Sequence, residues 1–305
     1  MLRAGGNPSD ATVAGHARIT PTNPQVRPIP GSSSQPTLTY NDRLKPGPPV
    51  ADPLDHRRRR TESGTCPFHD HGGKRLRCPT PPRQRDREPP TFQREEFWRV
   101  MLGCLLTTQQ GSGPDSPVTR FLRCKPFRAS LQNCSTTGAE ILLKAELSSF
   151  GGIRRGNTIA RHAQANLTWL DSGGWKVMED AFERLREQRV SAPSWAHVAV
   201  ERSVAEAVDE KLLGFGPKQS RNFWQWLGMT RYEIPLDSRI MKWLTKNTRL
   251  PVKISAASLA DQGCYDLVMS AVHALCAAAD VLPCMLDAAV FASYDREWLP
   301  DELEY

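Results

Sequence analysis

Bulky apolar residues recur at three- and four-residue steps along most of the second two-thirds of this chain. From Glu95 to Thr108 the inward positions are Phe97, Val100, Met101, Cys104, Leu105 and Leu106, the stripe of an amphipathic helix. Gln109-Gln110-Gly111-Ser112-Gly113-Pro114 is a cluster of breakers that ends it. Ser116-Pro117 starts another helix through Val118, Phe121 and Leu122, because proline suits a first helical turn. Glu140 to Leu147 is a further short helical stretch. Phe150-Gly151-Gly152-Ile153-Arg154-Arg155 opens a longer helix carrying Ile159, His162, Ala163, Ala165, Leu167 and Trp169. Trp175, Met178, Phe182 and Leu185 form a clean stripe whose aromatics are read as core.

The pattern continues with Ser203 to Leu213, where Val204, Ala207, Val208, Leu212 and Leu213 are the apolar set. Lys218 to Leu227 follows, with Phe223, Trp224, Trp226 and Leu227, and Gly228 is placed to stop it. Asp237 precedes a helix with Trp243 and Leu244 on one face and Arg239, Lys242 and Lys246 on the other. Cys264 to Ala278 is strongly apolar and reads as central. On the last helix Asp287 and Phe291, four residues apart, share a face. No stretch from Glu95 to Ser293 sustains the period-two alternation of a strand, so the fold class expected is all-α.

Composition divides the chain. Residues 1–90 hold 16 of the 25 prolines and polar runs such as Gly31-Ser32-Ser33-Ser34. So little apolar surface cannot offset the entropy of ordering, and the segment is read as a disordered, basic, Pro-rich tail ahead of one helical domain over residues 91–305. Charge sharpens this division. The formal net charge of +7 resides in the tail, with 15 Lys+Arg against 8 Asp+Glu, while residues 91–305 balance at 25 against 25. A basic arm of this kind, densest at Arg57-Arg58-Arg59-Arg60, attracts nucleic acid through counterion release, or is simply a solvated charge run. Cys66, His69, His71 and Cys78 are four metal-ligand types in a short span, but their spacing is not that of a zinc site, and no metal is expected. Eight irregularly spaced cysteines, no apolar leader and no membrane-length apolar run lead to the expectation of a soluble, intracellular protein with reduced thiols, in the cytoplasm and nucleoid or the nucleus.

The chemistry concentrates at Leu212-Leu213-Gly214-Phe215-Gly216-Pro217-Lys218-Gln219. A Gly-x-Gly turn opening a helix can present unpaired N–H groups to a phosphate, or can be an ordinary helical hairpin whose glycines serve geometry alone. Lys218 at the helix start and Asp237 at the start of the next helix add to that turn a nucleophile and a carboxylate. Either residue alone would read as a surface charge or a helix cap.

Together the hairpin, Lys218 and Asp237 resemble the helix-hairpin-helix DNA glycosylase superfamily, and in particular its lyase-active 8-oxoguanine glycosylase and endonuclease III branches. Leu105-Leu106-Thr107-Thr108-Gln109-Gln110 resembles that superfamily's early helix end. The likeness spans roughly Phe92 to Ser293. It implies a base-excision-repair glycosylase with abasic-site lyase activity, which flips a damaged base out of duplex DNA and cleaves its glycosidic bond through a lysine Schiff base. In that reading Lys218 is the nucleophile and Asp237 stabilises the cationic transition state. Gly214 and Gly216 hold phosphate, Gln109 fills the space left by the extruded nucleotide, and Arg154 and Arg239 meet the DNA backbone. Asp287 and Phe291 would line the base pocket, with 8-oxoguanine one of the lesions to consider. An amine attacks only when neutral, a form that desolvation favours and a neighbouring carboxylate opposes. The expected partner is damaged double-stranded DNA, bound by a monomer with no membrane involved.

Endonuclease III relatives carry an iron–sulfur cluster, which needs four closely spaced cysteines. Cys264, Cys276 and Cys284 are too few and too far apart, so no cofactor is expected. Two departures from the family pattern stand out. No β-rich N-terminal domain like that of the human-type 8-oxoguanine enzymes is visible, and Trp224 and Trp226 crowd the lysine helix, as though the pocket were shaped for a different lesion. Two alternatives remain: a glycosylase without lyase activity, in which Asp237 activates water, and a noncatalytic module that only grips the DNA backbone. The latter has no use for a carboxylate at the offset of Asp237.

Overall fold

A computed structural model describes residues 90–111, 113–248, 254–255 and 257–294, together with the backbone alone of residues 65–69 and 75–77. Cys66, His69, His71, Cys78 and the arginine run lie outside the described side chains. Within the stretch read as unstructured, β1 (Thr65–His69) pairs antiparallel with β2 (Arg75–Arg77).

The remaining elements are helical. The chain runs through α1 (Arg94–Thr107), α2 (Pro117–Leu122), α3 (Leu131–Thr137), α4 (Ala139–Phe150) and α5 (Gly156–Trp169). It continues with α6 (Trp175–Val190), α7 (Val198–Lys211), α8 (Pro217–Trp226), α9 (Ser238–Asn247), α10 (Gln262–Ala278) and α11 (Pro283–Tyr294). The expected stripes are inside: Trp175, Met178, Phe182 and Leu185 on α6 are all buried, as are Tyr265, Val268, Met269, Val272 and Cys276 on α10. Local capping sets several boundaries. Ser116 Oγ accepts from the amide of Thr119 at 3.1 Å, Ser130 Oγ does the same for Asn133 at 3.2 Å, and Asp261 Oδ1 for Cys264 at 2.8 Å.

α1 is more enclosed than an amphipathic reading predicts. Trp98, Leu102 and Gly103 are buried along with the apolar stripe, because α2, α3, α5 and α8 all pack around it. Leu213 corrects the reading in the other direction. It is 53 % exposed at the hairpin, one residue beyond the end of the apolar face that buries Leu212.

Two apolar clusters organise the helices. One is built from α1 to α8 and centres on the edge-to-face rings of Phe97, Trp175, Phe223 and Trp224. The other joins α9, α10 and α11 around Trp243, Tyr265, Met269 and Leu286. Residues 229–236 link them as an extended, buried strap. A strap cannot satisfy its own backbone groups, so side chains must do so. The buried carboxylate of Glu201 accepts from the amides of Arg231, Tyr232 and Glu233 at 2.9, 2.7 and 2.8 Å. Tyr265 Oη accepts from the Leu236 amide and donates to the Ile234 carbonyl, both at 2.8 Å.

Candidate active site

The site begins at the turn between α7 and α8. Gly214 has φ of +89°, the left-handed region that favours glycine, and a Cβ there would lie 2.2 Å from His162 Nδ1 and 2.9 Å from Leu105 Cδ2. Its identity is therefore dictated by the turn and by close packing. Gly216 is different. Its backbone is extended, and a Cβ would meet nothing within 4 Å. Neither strain nor internal packing demands glycine at that position, and what the missing side chain leaves is open space beside the main chain. Among the described residues the amides of Gly214, Gly216, Lys218 and Gln219 find no acceptor, as expected where a helix begins.

Asn166, a buried residue of α5, clamps the turn from behind. Its Oδ1 accepts from the Leu213 amide at 2.6 Å and its Nδ2 donates to the Leu213 carbonyl at 3.1 Å. Nothing in the helical pattern of α5 marked this residue; only its polarity at an otherwise inward position could have done so. Gln219 performs a similar task one turn into α8, donating to the Cys104 carbonyl and to Thr108 Oγ1, both at 2.8 Å. The lysine helix is thereby fixed to the end of α1.

That end of α1 carries Gln109, which is exposed and held at φ of +59°. Arg154 Nη2 donates to the Gln109 carbonyl at 2.7 Å, and the Arg154 amide donates to Gln110 Oε1 at 2.9 Å. Gln109 and Arg154 thus share one surface loop pair, and the exposed Gln109 sits on a constrained backbone. Sequence reasoning overlooked Gln110, which stitches the two loops together.

Lys218 is half-buried on the first turn of α8. Its charge acts on two buried groups. One is the Cys104 thiol, which burial pushes up to about 12 against the opposing effects of an Asn222 hydrogen bond and the lysine. Cys104 is therefore a protonated core thiol and no rival nucleophile. The other is Asp287 on α11, whose carboxyl is raised from 3.8 to about 7. Burial is the main cause and repulsion by Asp237 the second, opposed by a hydrogen bond from Gln225 and by the charges of Arg239 and Lys218. Gln225 Nε2 donates to Asp287 Oδ2 at 2.8 Å, and the buried Gln225 Oε1 has no partner among the described residues. Lys218, Asp237, Arg239, Gln225 and Asp287 thus form one electrostatic neighbourhood at the junction of α8, α9 and α11.

Asp237 is the N-cap of α9. Its Oδ1 accepts from the amides of Arg239 and Ile240 at 2.8 and 3.0 Å. Its Oδ2 accepts from Arg239 Nε at 2.7 Å, and Arg239 Nη2 pairs with the same oxygen at 2.7 Å. The same guanidinium lies over the Phe291 ring, 4.3 Å from its centroid. Capping and chemistry are not exclusive for Asp237: the cap occupies one oxygen and orients the other.

The tryptophans of α8 pack against the core. Trp224 is fully buried and donates from Nε1 to the Val204 carbonyl at 3.2 Å, while the Trp226 ring packs on Gly103, whose Cβ would lie 2.6 Å from it. Both belong to the α1–α7–α8 core.

No known family profile matches the chain, and no curated protein does. Among solved structures it is similar to the 8-oxoguanine DNA glycosylase of Methanocaldococcus jannaschii, with 15% identity and a TM-score of 0.44 over 65% of this chain and 77% of that one. The functional reading therefore rests on the site's own residues and geometry.

Proposed function

We propose that this chain is a DNA glycosylase of the base-excision type with an associated abasic-site lyase activity. The observation that carries the reading is the placement of Asp287 on α11 within electrostatic reach of both Lys218, on the first turn of α8, and Asp237, at the start of α9. A module that only grips the DNA backbone needs the hairpin amides but has no use for such a pair of carboxyl groups.

Each residue then has a task. The free amides of the hairpin, with the space beside Gly216, cradle a phosphate of the duplex. Gln109, on its constrained turn, enters the gap left when a nucleotide is extruded, and Arg154 lies beside it to meet the backbone. The extruded base enters between Phe291 and the Gln225–Asp287 pair, where the unpartnered Gln225 Oε1 offers an acceptor and a protonated Asp287 carboxyl offers a donor. Lys218 Nζ, when neutral, bonds to C1′ while the electrons of the glycosidic bond leave with the base. Opening of the sugar gives the imine, and loss of a C2′ proton expels the 3′ phosphate. Asp237 stabilises the positive charge that develops at the sugar.

The test is base release from duplexes carrying 8-oxoguanine, an oxidised pyrimidine or uracil. The reading expects release from at least one of them, reduced by about 10²–10³-fold in Asp237→Asn. Tight duplex binding with no release from any lesion would favour the gripping module instead.

A further inference from the structure

Acidic and basic residues balance over residues 91–305, at 25 against 25, but they are not evenly mixed. Residues 116–139 hold Arg120, Arg123, Lys125 and Arg128 and not one Asp or Glu. The loop from α2 to α3 that carries most of them is pinned to the first half of α1. Arg99 Nη2 donates to the Leu122 carbonyl at 2.7 Å, and the Leu131 amide donates to the Glu95 carboxylate at 3.0 Å. Gln109, the Arg154 loop and the Gln219 clamp all meet the opposite end of that helix. At 1.5 Å per residue, Arg99 and Glu95 lie roughly 12–18 Å along the axis from that end.

Two guanidiniums of the patch are held ready by rings. Arg99 lies over Phe127, 5.5 Å from its centroid, and Arg128 over Phe150 at 5.8 Å. Stacking of this kind orders a planar fork that suits a phosphate. Glu146 pairs with Arg128 at 3.3 Å, but the arginine side chain stays 48 % exposed, and so solvated a pair is weak. Arg120 and Lys125 are exposed and form no ion pair among the described residues. None of the large exposed apolar side chains falls between residues 116 and 139, so the patch lacks the anchors on which a protein interface depends. Its chemistry fits a polyanion. We propose that the α2–α3 loop is a second nucleic-acid contact, which takes the phosphates of a separate duplex segment while the hairpin face holds the lesion-bearing one. This inference rests on the glycosylase reading and adds to it a route by which the protein passes between DNA segments without release into solution.

The experiment saturates the full chain with a donor-labelled duplex holding an uncleavable tetrahydrofuran abasic analogue, then titrates in an undamaged duplex that carries an acceptor. It is run across a salt series for the unsubstituted protein and for a loop variant, Lys125→Gln with Arg128→Gln. A tail variant combines Arg57→Gln, Arg58→Gln, Arg59→Gln and Arg60→Gln. Energy transfer between the two duplexes is expected in the unsubstituted protein. In the loop variant the slope of log K against log salt for the second duplex becomes shallower by about two, while affinity for the first is unchanged. A parental slope in the loop variant, with the change confined to the tail variant, overturns the proposal and assigns the second contact to the tail. Absence of energy transfer overturns it too, with the glycosylase reading intact. If poly-L-glutamate displaces the second duplex as well as unlabelled DNA of equal charge does, the patch belongs to an acidic protein partner and the proposal falls. Failure of the unsubstituted protein to bind the analogue duplex overturns the glycosylase reading, and the second contact with it.

Discussion

The hairpin that carries Lys218 and the strap that carries Asp237 solve the same problem by different means. Each is an irregular backbone segment that must be held still between helices. The hairpin is held by neutral polar clamps, Asn166 on Leu213 and Gln219 on the end of α1, and by the close fit of Gly214 on His162. The strap is held by buried charge. Arg221, fully enclosed, donates from Nε to Glu233 Oε2 at 2.7 Å and from Nη1 to the Pro217 carbonyl at 3.0 Å, with its guanidinium 4.4 Å from the Tyr265 ring centroid. Arg221 is therefore the joint between the two segments: it belongs to the lysine helix and pairs with the strap that leads to Asp237. The difference teaches that the open segment uses neutral groups, while the segment that fixes relative placement uses an ion pair whose loss is costly.

The comparison predicts a ranking of effects. Glu233→Ala leaves Arg221 buried without its main partner, and should cost about 3–5 kcal/mol in urea unfolding. A cost comparable to that of an exposed pair would mean that the strap does not depend on this charge. Next come the two hairpin glycines, which should behave oppositely. Gly214→Ala meets both an unfavourable φ and His162, and should lose about 2–3 kcal/mol of stability. Gly216→Ala should stay within about 0.5 kcal/mol of the parent, yet weaken duplex binding by filling the phosphate approach. Equal stability losses in the two would sink the distinction between a packing glycine and a ligand glycine.

A further test is a pH dependence. Burial raises Asp287 from 3.8 to about 7, and Glu201 from 4.5 to about 7 despite its three amide donors. A carboxyl raised in the folded state binds its proton more tightly there than in the unfolded chain. Its contribution is fully present below the ordinary carboxylate range and is lost as pH climbs to about 7. Chemical denaturation should therefore show stability falling from pH 4 to pH 7, and Asp287→Asn should make that fall shallower. An unchanged slope in the variant would place the titration elsewhere.

Much of this architecture was legible in the sequence, for a physical reason. Apolar residues at helical spacing report directly on burial, so the faces of α6 and α10 and the stop at Gly228 follow from the pattern. The hairpin was legible because glycine and proline act locally. What stayed hidden were long-range polar contacts. Glu201, Arg221 and Glu233 carry charges that a sequence reading places on the surface, and only the strap's unpaired amides and the depth of the α8–α10 junction explain their burial. Trp224 and Trp226 pointed toward a pocket merely because they follow Lys218, whereas the helical turn carries them into the core. The short α3 has a single buried residue, Cys134, and so left no stripe to find. At the site, Asp237 was recognisable, but the grip of Arg239 on its outer oxygen depends on a rotamer that no pattern encodes.

The most direct test of the central claim is borohydride trapping on a duplex with a natural abasic site, followed by mass mapping of the cross-linked peptide. The account predicts a covalent protein–DNA adduct on Lys218 that falls by on the order of a thousand-fold or more in Lys218→Ala. An adduct mapped to another amine, or tight binding of the abasic duplex without any trapped species, would contradict lysine-mediated imine chemistry and leave Asp237-assisted attack by water as the mechanism to pursue.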